Sequence, residues 1–310
     1  MYYIMFHTLL RIRMCGKDSE ILLDLLQRYR FVALTGAGMS TESGIPDYRG
    51  PGTLRRARQP MRYRQFIHDP EARRRYWARS TVGWPRIAQA RPNPGHYALA
   101  ELEATGYLTG VITQNVDGLH QQAGSRRIVE LHGSLADVCC LTCGMRLSRA
   151  VLQQRLLELN PAFSVRDALI APDGDADIPE ALLTRFRVPA CPRCEGVLKP
   201  HVVFFGENVP ACRVEAAWGL FDQAEALLVC GSSLTVYSGY RFVLQAAREG
   251  KPVVIVNLGS TRGDHFACLR ITRRTGQFLP WLVHRMGIKD LAEQQEETGP
   301  QSMRFMGSSR

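Results

Sequence analysis

The chain has 310 residues, of which 45% are hydrophobic and 22% are charged. This composition excludes a disordered or fibrous protein, and no apolar run reaches the length of a membrane-spanning helix. The formal net charge of +10 is carried almost entirely by arginine, which favours anionic partners such as nucleotides, nucleic acids or acidic protein segments.

The predicted elements alternate between helix and strand along most of the chain. Apolar residues at helical spacing predict a helix from Asp18 to Arg30, and FVALT then predicts a buried strand that enters a glycine turn at Gly36. A helix is expected in NPGHYALAELEA, ending at Gly106, and a strand in YLTGVIT. EALLVC, SGYRFVLQAAR and KPVVIV predict a strand, a helix and another strand. Buried strands separated by helices are typical of an α/β fold, here a doubly wound Rossmann-like parallel sheet.

Residues 133–199 interrupt this alternation, because they contain two C-x-x-C pairs and a Pro/Asp-rich stretch. We therefore predict a smaller inserted zinc-ribbon module with a long loop over residues 133–199. The Rossmann-like domain is then discontinuous, over residues 18–132 and 200–287, and the termini, 1–17 and 288–310, are expected to be flexible.

The two cysteine pairs have the spacing of a tetrahedral thiolate zinc site, with Cys140 and Cys143 in CLTCG and Cys191 and Cys194 in CPRCEG. Four thiolates fill the coordination sphere of the metal, so the predicted Zn²⁺ is structural. Cys139 is an alternative ligand. Paired cysteines of this kind also indicate a reducing compartment rather than a disulfide scaffold.

A glycine-containing loop, TGAGMS, follows the first strand directly. Glycines at this place allow backbone N–H groups to approach a phosphate, although the third glycine of the usual dinucleotide motif would fall at Thr41. A tight structural turn is the alternative. Arg49 in PDYRG could bind a pyrophosphate or a carboxylate bidentately, or form a surface ion pair with Asp47.

The segment TQNVD stands just past the carboxyl end of a strand, where open α/β sheets bind their ligands. The side chains of Gln114, Asn115 and Asp117 can bind ribose hydroxyls and a carboxamide. Caps for the following helix are the alternative.

His132 in VELHG follows a short apolar run and precedes a glycine, which predicts a ring that faces open space. Such a histidine can act as a general base near neutral pH. His96 and His120 are competing candidates, and a purely structural role is the alternative for each.

Taken together, GAGMSTESGIPDYRG, TQNVDGLH, ELHG, the two C-x-x-C pairs, KPHVVFFGE, GSSL and VNLG resemble the motifs of sirtuins, in the same order. The resemblance covers roughly residues 18 to 285. The stretches YWARSTVGWP, LNPAFS, APDGD and GSSLTVYSGYRF are most similar to the class II sirtuins, the mitochondrial lipoamidase/ADP-ribosyltransferase group and its bacterial relatives.

The resemblance implies an NAD-dependent protein-lysine deacylase, in which the acyl oxygen attacks the ribose carbon as nicotinamide leaves. His132 would then act as base on a ribose hydroxyl, while Gln114 and Asn115 hold the ribose and a water and Asp117 holds the carboxamide. It implies His132 and Asn115 as catalytic residues. The implied cofactor-binding residues are Gly36, Ala37, Gly38, Ser40, Asp47, Tyr48, Arg49, Gln114, Asn115, Val116, Asp117, Gly231, Ser232, Ser233, Asn257, Leu258, Gly259 and Thr275. Tyr48 stands where phenylalanine is commonest in the family.

The same resemblance implies substrate residues in two places. Val203, Phe204, Phe205 and Gly206 correspond to the strand that pairs with the substrate backbone, a case of β-strand addition. Tyr76 and Arg79, three residues apart, resemble the pair that sirtuins acting on acidic acyl groups use, which predicts a preference for glutaryl-type or methylglutaryl-type lysine. A core-packed Tyr76 with a solvent-facing Arg79 is the alternative.

Three other functions remain open at this point: protein mono-ADP-ribosylation, nucleic-acid binding through the zinc ribbon, and hydride transfer by a dehydrogenase. The expected partner is an acyl-lysine protein or peptide, with no membrane and no requirement for nucleic acid. The chain is expected to be a monomer. It is expected in the bacterial cytoplasm, or in the mitochondrial matrix if the source is eukaryotic.

Overall fold

The computed structural model describes residues 17–48, 60–163, 178 and 183–288. Its helices are α1 (Lys17–Arg28), α2 (Tyr63–His68), α3 (Pro70–Gln89), α4 (Pro94–Ala104), α5 (Leu119–Gln122), α6 (Arg149–Leu159), α7 (Ala211–Asp222), α8 (Tyr237–Arg248) and α9 (Thr275–Arg285). Its strands are β1 (Phe31–Thr35), β2 (Leu108–Thr113), β3 (Ile128–Glu130), β4 (Gly133–Cys140), β5 (Arg146–Ser148), β6 (Leu198–Val202), β7 (Ala226–Cys230), β8 (Val253–Val256) and β9 (Leu269–Ile271). Residues 1–16 and 289–310 of the predicted flexible termini lie outside the described residues, as does Arg49.

A six-stranded parallel sheet in the order β3-β2-β1-β7-β8-β9 forms the centre of the molecule. Every residue of β1, β2, β7 and β8 is buried, as expected where helices cover both faces of a parallel sheet. The chain reverses its direction of growth across the sheet between β1 and β7. Ligands bind at such a switch point in open α/β folds, so the predicted doubly wound sheet is confirmed together with the place for a site.

Local sequence signals explain how the helices begin. Asn93 caps α4 by accepting a hydrogen bond from the N–H of Gly95 (2.9 Å), and Pro94 occupies the first helical position. Asp69 caps α3 in the same way, through the N–H groups of Glu71 and Ala72. These capping hydrogen bonds fix the residues at which α3 and α4 begin.

A second, antiparallel sheet in the order β5-β4-β6 lies beside the parallel one. Its apolar side chains share a core cluster with α2, α3 and α6, in which Trp77 of α3 is fully buried and donates from Nε1 to the carbonyl of Leu198 (3.2 Å). The boundary predicted between residues 132 and 133 therefore does not coincide with the division of the core, since α2 and α3 pack with the smaller sheet.

We call α2, α3, β4, β5, α6 and β6 the smaller lobe, and the parallel sheet with α1, α4, α7, α8 and α9 the larger lobe. Within the described residues, no helix combines the length and apolar character needed to cross a membrane.

Candidate active site

A cleft of about 640 Å³ opens between the two lobes, at the carboxyl ends of β1, β2, β7 and β8. This volume lies within the range of pockets that hold small ligands. The cleft brings together the predicted cofactor residues of the described part and most of the predicted substrate residues. They are Gly36, Ala37, Gly38, Ser40, Asp47, Tyr48, Gln114, Asn115, Val116, Asp117, His132, Gly231, Ser232, Ser233, Asn257, Leu258, Gly259, Thr275, Tyr76, Val203, Phe204, Phe205 and Gly206.

The glycine loop after β1 packs directly against the loop after β7. The N–H of Gly38 donates to the carbonyl of Gly231 (2.8 Å), and the N–H of Gly36 donates to that of Cys230 (3.2 Å). A Cβ on Gly38 would lie 2.8 Å from the carbonyl oxygen of Gly231, so a side chain cannot be placed between the two loops. The N–H groups of Gly36 and Gly38 are therefore used to join the two loops. A phosphate contact through other N–H groups of the glycine loop stays a prediction.

Asn115 and Asp117 hold the same loop in place. The amide nitrogen of Asn115 donates to the carbonyl of Gly36 (3.0 Å) and to the hydroxyl of Ser40 (3.1 Å). The Ser40 hydroxyl in turn donates to Asp117 Oδ2 (2.7 Å), and the N–H of Leu119 donates to Oδ1 (3.0 Å). Burial raises the pKa of Asp117, and these two hydrogen bonds oppose that shift. Asp117 thus accepts from the first residue of α5 and also forms part of the cleft wall.

Gln114 joins the carboxyl ends of β2 and β7. Its side-chain nitrogen donates to the hydroxyl of Ser232 (2.8 Å), and its N–H donates to the carbonyl of Thr35 (3.0 Å). Three neighbouring strands therefore present polar groups to one point of the cleft.

His132 stands half-buried in the cleft, with both ring nitrogens engaged. Nδ1 lies 2.9 Å from the carbonyl oxygen of Gln114, and Nε2 lies 2.7 Å from the hydroxyl of Ser238. Because a carbonyl only accepts, Nδ1 carries the proton in the neutral ring and Nε2 is the acceptor. Burial lowers the pKa of His132, Arg213 and Arg241 lower it further, and the bond to Gln114 opposes them. A neutral imidazole with a basic nitrogen in a cleft is suited to remove a proton.

The competing histidines do not face the cleft. His96 and His120 are buried against each other, with ring centroids 4.8 Å apart. Nδ1 of His96 accepts from the N–H of Asn93 as part of the cap of α4, and Nε2 of His120 lies 2.9 Å from the hydroxyl of Thr35. Burial lowers the pKa of His96 to about 4 and that of His120 well below its usual value. Their role is structural.

The predicted substrate strand is held by a buried lysine. Lys199 Nζ lies 2.9 Å from Glu207 Oε2 and donates to the carbonyl of Val202 (2.5 Å), and it sits 4.7 Å from the ring centre of Phe204. Glu207 Oε2 also accepts from the N–H of Phe204 (2.8 Å). Lys199 is 3% exposed, so its cation holds the segment from Val202 to Glu207 from the interior of the protein.

Several backbone groups of that strand are already used inside the protein. The N–H of Val203 donates to the carbonyl of His132 (2.8 Å), and the carbonyl of Phe205 accepts from the N–H of Tyr63 (3.0 Å). The carbonyl of Phe204 accepts from the N–H of Glu207 (3.0 Å). These three backbone groups are therefore already engaged and would not be the ones that pair with a substrate strand.

Four cysteine sulfurs converge in the smaller lobe. Cys140 Sγ lies 3.5 Å from Cys194 Sγ, Cys143 Sγ lies 3.8 Å from Cys191 Sγ, and all four lie within 4.8 Å of one another. Thiolates bound at about 2.3 Å in a tetrahedron lie about 3.8 Å apart, so the set fits Zn²⁺. Cys139 is not part of the group. The ion would have no open position, since four thiolates complete its coordination.

Residues 36–238 match the family model described as the Sir2 family. The chain belongs to the Sir2 family. It is 55% identical over 272 residues to NAD-dependent protein deacetylase 1 of Streptomyces coelicolor, a match that covers 88% of this chain and 91% of the relative. It is 47% identical over 263 residues to human mitochondrial NAD-dependent protein lipoamidase sirtuin-4, covering 82% of this chain and 84% of the relative.

Solved Sir2 structures share the fold. One described as "Sir2-p53 peptide-NAD+" has a TM-score of 0.70 at 35% identity and covers 87% of this chain and 99% of its own. Another, described as Sir2Tm bound to a propionylated peptide, has a TM-score of 0.69 at 35% identity, with coverage of 87% and 99%. The predicted resemblance to sirtuins is confirmed, and family membership leaves no support for the dehydrogenase or for a zinc-ribbon nucleic-acid protein.

In this Sir2-family cleft the two predicted acyl-pocket residues are placed differently. Tyr76 is 3% exposed and lines the cleft, with its ring 5.3 Å from that of Phe204. Arg79, one helical turn further along α3, is half-buried and is not among the described residues that line the cleft. A different guanidinium, that of Arg149, is 1% exposed and packs 5.4 Å from the ring centre of Trp77. The preference for acidic acyl groups stays a prediction.

Sequence reasoning missed several residues of the Sir2-family cleft. Ser238 and Arg241 of α8 reach it from a segment that was interpreted only as a helix, and Arg273 and Arg274 reach it just before α9. Arg273 and Arg274 could have been found from the sequence, because they directly precede Thr275, which was already a candidate. Nothing in the periodicity of SGYRFVLQAAR distinguishes Ser238 from an ordinary surface serine at a helix start.

Proposed function

We propose that this protein is an NAD-dependent protein-lysine deacylase that transfers the acyl group from lysine to ADP-ribose with release of nicotinamide. The observation that carries the proposal is His132, a neutral imidazole whose acceptor nitrogen faces a cleft lined by the glycine loop and by Gln114, Asn115 and Asp117. A base in this state takes a proton from a sugar hydroxyl near neutral pH without first having to lose one.

Each lobe contributes one part of the chemistry. In the larger lobe, Asn115 and Ser40 fix the glycine loop, so this wall of the cleft is organised before a dinucleotide enters. Asp117 presents a carboxyl that is held by Ser40 and by the N–H of Leu119, and we assign it to the nicotinamide carboxamide. Bound NAD supplies the activated ribose carbon to which the acyl oxygen adds.

The smaller lobe provides the place for the acyl-lysine. Phe205 and Gly206 lie at the accessible end of the substrate strand, and Tyr76 and Phe204 form an aromatic wall beside it. An extended peptide that pairs with this segment would present its modified lysine toward His132.

We also propose that the protein is a monomer and that it works in a reducing compartment.

The decisive test is a comparison of His132→Ala with the unaltered protein, using NAD, an acetyl-lysine peptide and zinc-replete enzyme. We expect loss of acyl transfer by about 10²- to 10⁴-fold, because general-base catalysis contributes on this order. His284→Ala, at an exposed position of α9, is the matched control and should retain full activity.

Two products separate the competing reactions. Loss of the acyl group with nicotinamide release supports the deacylase, whereas ADP-ribose attached to the target indicates mono-ADP-ribosylation. Full acyl transfer by His132→Ala would contradict the assignment of the base.

For the acyl group, we propose a preference for glutaryl-type or methylglutaryl-type chains over acetyl. Tyr76 lines the cleft, and Arg79 follows it on the same helix. A guanidinium near the end of the acyl pocket would favour a carboxylate. Arg79→Met should lower glutaryl turnover but not acetyl turnover, while Arg86→Met, at an exposed position of α3, should change neither. Faster turnover of acetyl than of glutaryl peptide, unaffected by Arg79→Met, would remove this preference.

A further inference from the structure

The hydroxyl of Ser238 is hydrogen-bonded to Nε2, the acceptor nitrogen of His132. Its hydroxyl oxygen lies 2.7 Å from Nε2, and the residue lines the cleft. The opposite ring nitrogen is held by the carbonyl of Gln114 at 2.9 Å, which fixes the ring orientation. A hydroxyl, an imidazole and a carbonyl thus form a continuous hydrogen-bonded chain that begins in the cleft.

The start of α8 is built to bring this serine close. Ser238 is the second residue of the helix, and Gly239 follows it against the side chain of Gln114. A Cβ on Gly239 would lie 2.7 Å from Gln114 Oε1, so a larger residue would push the helix and Gln114 apart. The absence of a side chain at this one position lets Ser238 reach the histidine that Gln114 holds.

The donor and acceptor positions of His132 and Ser238 determine which of them a sugar hydroxyl can contact. With its proton on Nδ1, the imidazole of His132 has a single acceptor lone pair, and the Ser238 hydroxyl fills it by donating. The oxygen of that hydroxyl keeps acceptor capacity of its own. A sugar hydroxyl that enters the cleft can therefore donate to Ser238 without breaking any existing bond, whereas direct contact with His132 would require Ser238 to be displaced.

The charges around the pair keep His132 unprotonated before the reaction, so that Nε2 is able to accept. Arg213 of α7 and Arg241 of α8 are the charged groups that act on His132, and both favour its neutral, accepting form. Arg241 also donates from Nε to the carbonyl of Ser238 (3.1 Å). Ser238 lies in the first turn of a twelve-residue helix, where the backbone dipole stabilises negative charge that develops on its oxygen.

We propose that Ser238 is a proton relay between the ribose hydroxyl and His132. As the ribose oxygen attacks the acyl carbon, a carbon–oxygen bond forms and the π electrons of the carbon–nitrogen bond at that carbon move onto the lysine nitrogen. The ribose O–H bond breaks and its proton passes to Ser238 Oγ, while the proton of Ser238 passes to His132 Nε2. The serine is regenerated as a hydroxyl, and His132 becomes an imidazolium held by the carbonyl of Gln114. This inference rests on the role proposed for His132.

The test separates the step that needs a base from the step that does not. Release of nicotinamide precedes the proton transfer, so exchange of labelled nicotinamide into NAD should proceed without the relay. In Ser238→Ala we expect single-turnover acyl transfer to fall by about 10- to 100-fold, since a water replaces a positioned hydroxyl poorly. Nicotinamide exchange should stay within about twofold of the unaltered enzyme on the same reasoning.

Two further variants make the result specific. Ser238→Thr keeps a hydroxyl and should recover most of the acyl transfer. Ser134→Ala is the matched control, because its hydroxyl accepts from the N–H of Ala136 (3.2 Å) in the adjoining strand, and it should change neither step.

Unchanged acyl transfer in Ser238→Ala, with His132→Ala inactive, would overturn the relay and leave the proposed function intact. Equal loss of exchange and transfer in Ser238→Ala would also overturn it, because the hydroxyl would then only support the cleft. Normal acyl transfer in His132→Ala would instead contradict the function on which the relay rests.

Discussion

In the larger lobe every residue of β1, β2, β7 and β8 is buried, whereas the three residues of β5 in the smaller lobe are exposed or half-buried. The parallel sheet can thus be stabilised by burial of its own apolar side chains. The smaller sheet has three strands, and four clustered cysteines and the buried cation of Lys199 lie in the same lobe. We therefore expect the smaller lobe to depend on the zinc site and on buried charge more than the larger lobe does.

Removal of the metal should have the largest effect and should be confined to one lobe. Chelation of zinc, or Cys143→Ser, takes away binding free energy that is of order 10 kcal/mol in small structural zinc sites, so the smaller lobe should lose its order. Hydrogen exchange should show lost protection in β4 and β6 and retained protection in β1 and β7. Equal loss of protection in both sheets would contradict the division, and Cys212→Ser, at an exposed cysteine outside the cluster, is the control.

Removal of the buried cation should have the next largest effect. Lys199→Met leaves Glu207 without its partner, and breaking such a pair costs about 3–5 kcal/mol of unfolding free energy. The double variant with Glu207→Gln should lose less than Lys199→Met alone, because no unpaired charge then remains. Urea unfolding of both variants checks this. A double variant that is less stable than the single one would show that the ion pair is not the source of the effect.

A side chain added between the glycine loop and the loop after β7 should destabilise the larger lobe. Gly231 has φ +61°, and a Cβ there would lie 2.3 Å from the backbone nitrogen of Met39. Gly231→Ala should cost about 3 kcal/mol and raise the KM for NAD, because the glycine loop must move. Gly250→Ala has a similar φ of +70° and open space around it, so it should cost only about 1 kcal/mol.

The smallest effect is a pH dependence within the larger lobe. The folded pKa of His96 is about 4, below its ordinary value of 6.5, so the unfolded chain binds a proton first as the pH falls. The stability that the neutral ring supplies is present above pH 6.5 and is lost toward pH 4, by at most about 1.4 kcal/mol per pH unit. Asp117, whose pKa is raised, acts in the opposite sense.

Urea unfolding at pH 6.5 and pH 5.5 tests this slope. His96→Gln should reduce the slope, and buried His120, whose pKa is lowered in the same direction, should keep part of it. His284→Gln, at an exposed position, should leave the slope unchanged. A slope that is unchanged in His96→Gln would assign the pH dependence to other groups.

Features set by local sequence could be predicted, and those set by distant contacts could not. The buried strands and the four-cysteine site follow from short patterns, because a strand buried on both faces needs a continuous apolar run and a metal needs fixed ligand types. The position of His132 was predicted from its place after a strand. Its partner Ser238 was missed, because the two residues are 106 positions apart and meet only when α8 packs at the switch point.

The division of the core was also beyond local patterns. Helix α3 has the apolar spacing that any surface helix would show, and its sequence does not indicate which sheet it covers. Trp77 pairs with the carbonyl of Leu198, which lies 121 residues later, so α3 joins the smaller lobe through a contact that no spacing rule encodes.

His132 is hydrogen-bonded to both lobes, so a movement of either lobe would shift it. Its ring is fastened to Gln114 at the end of β2, while its own carbonyl receives the N–H of Val203 at the start of the substrate strand. Any hinge motion that spreads the walls must pull on this residue from both sides, so misalignment of the peptide and misalignment of the imidazole would occur together. We therefore expect a cleft that has not closed on its substrate to fail at acyl transfer, because the peptide and the base lose their alignment together.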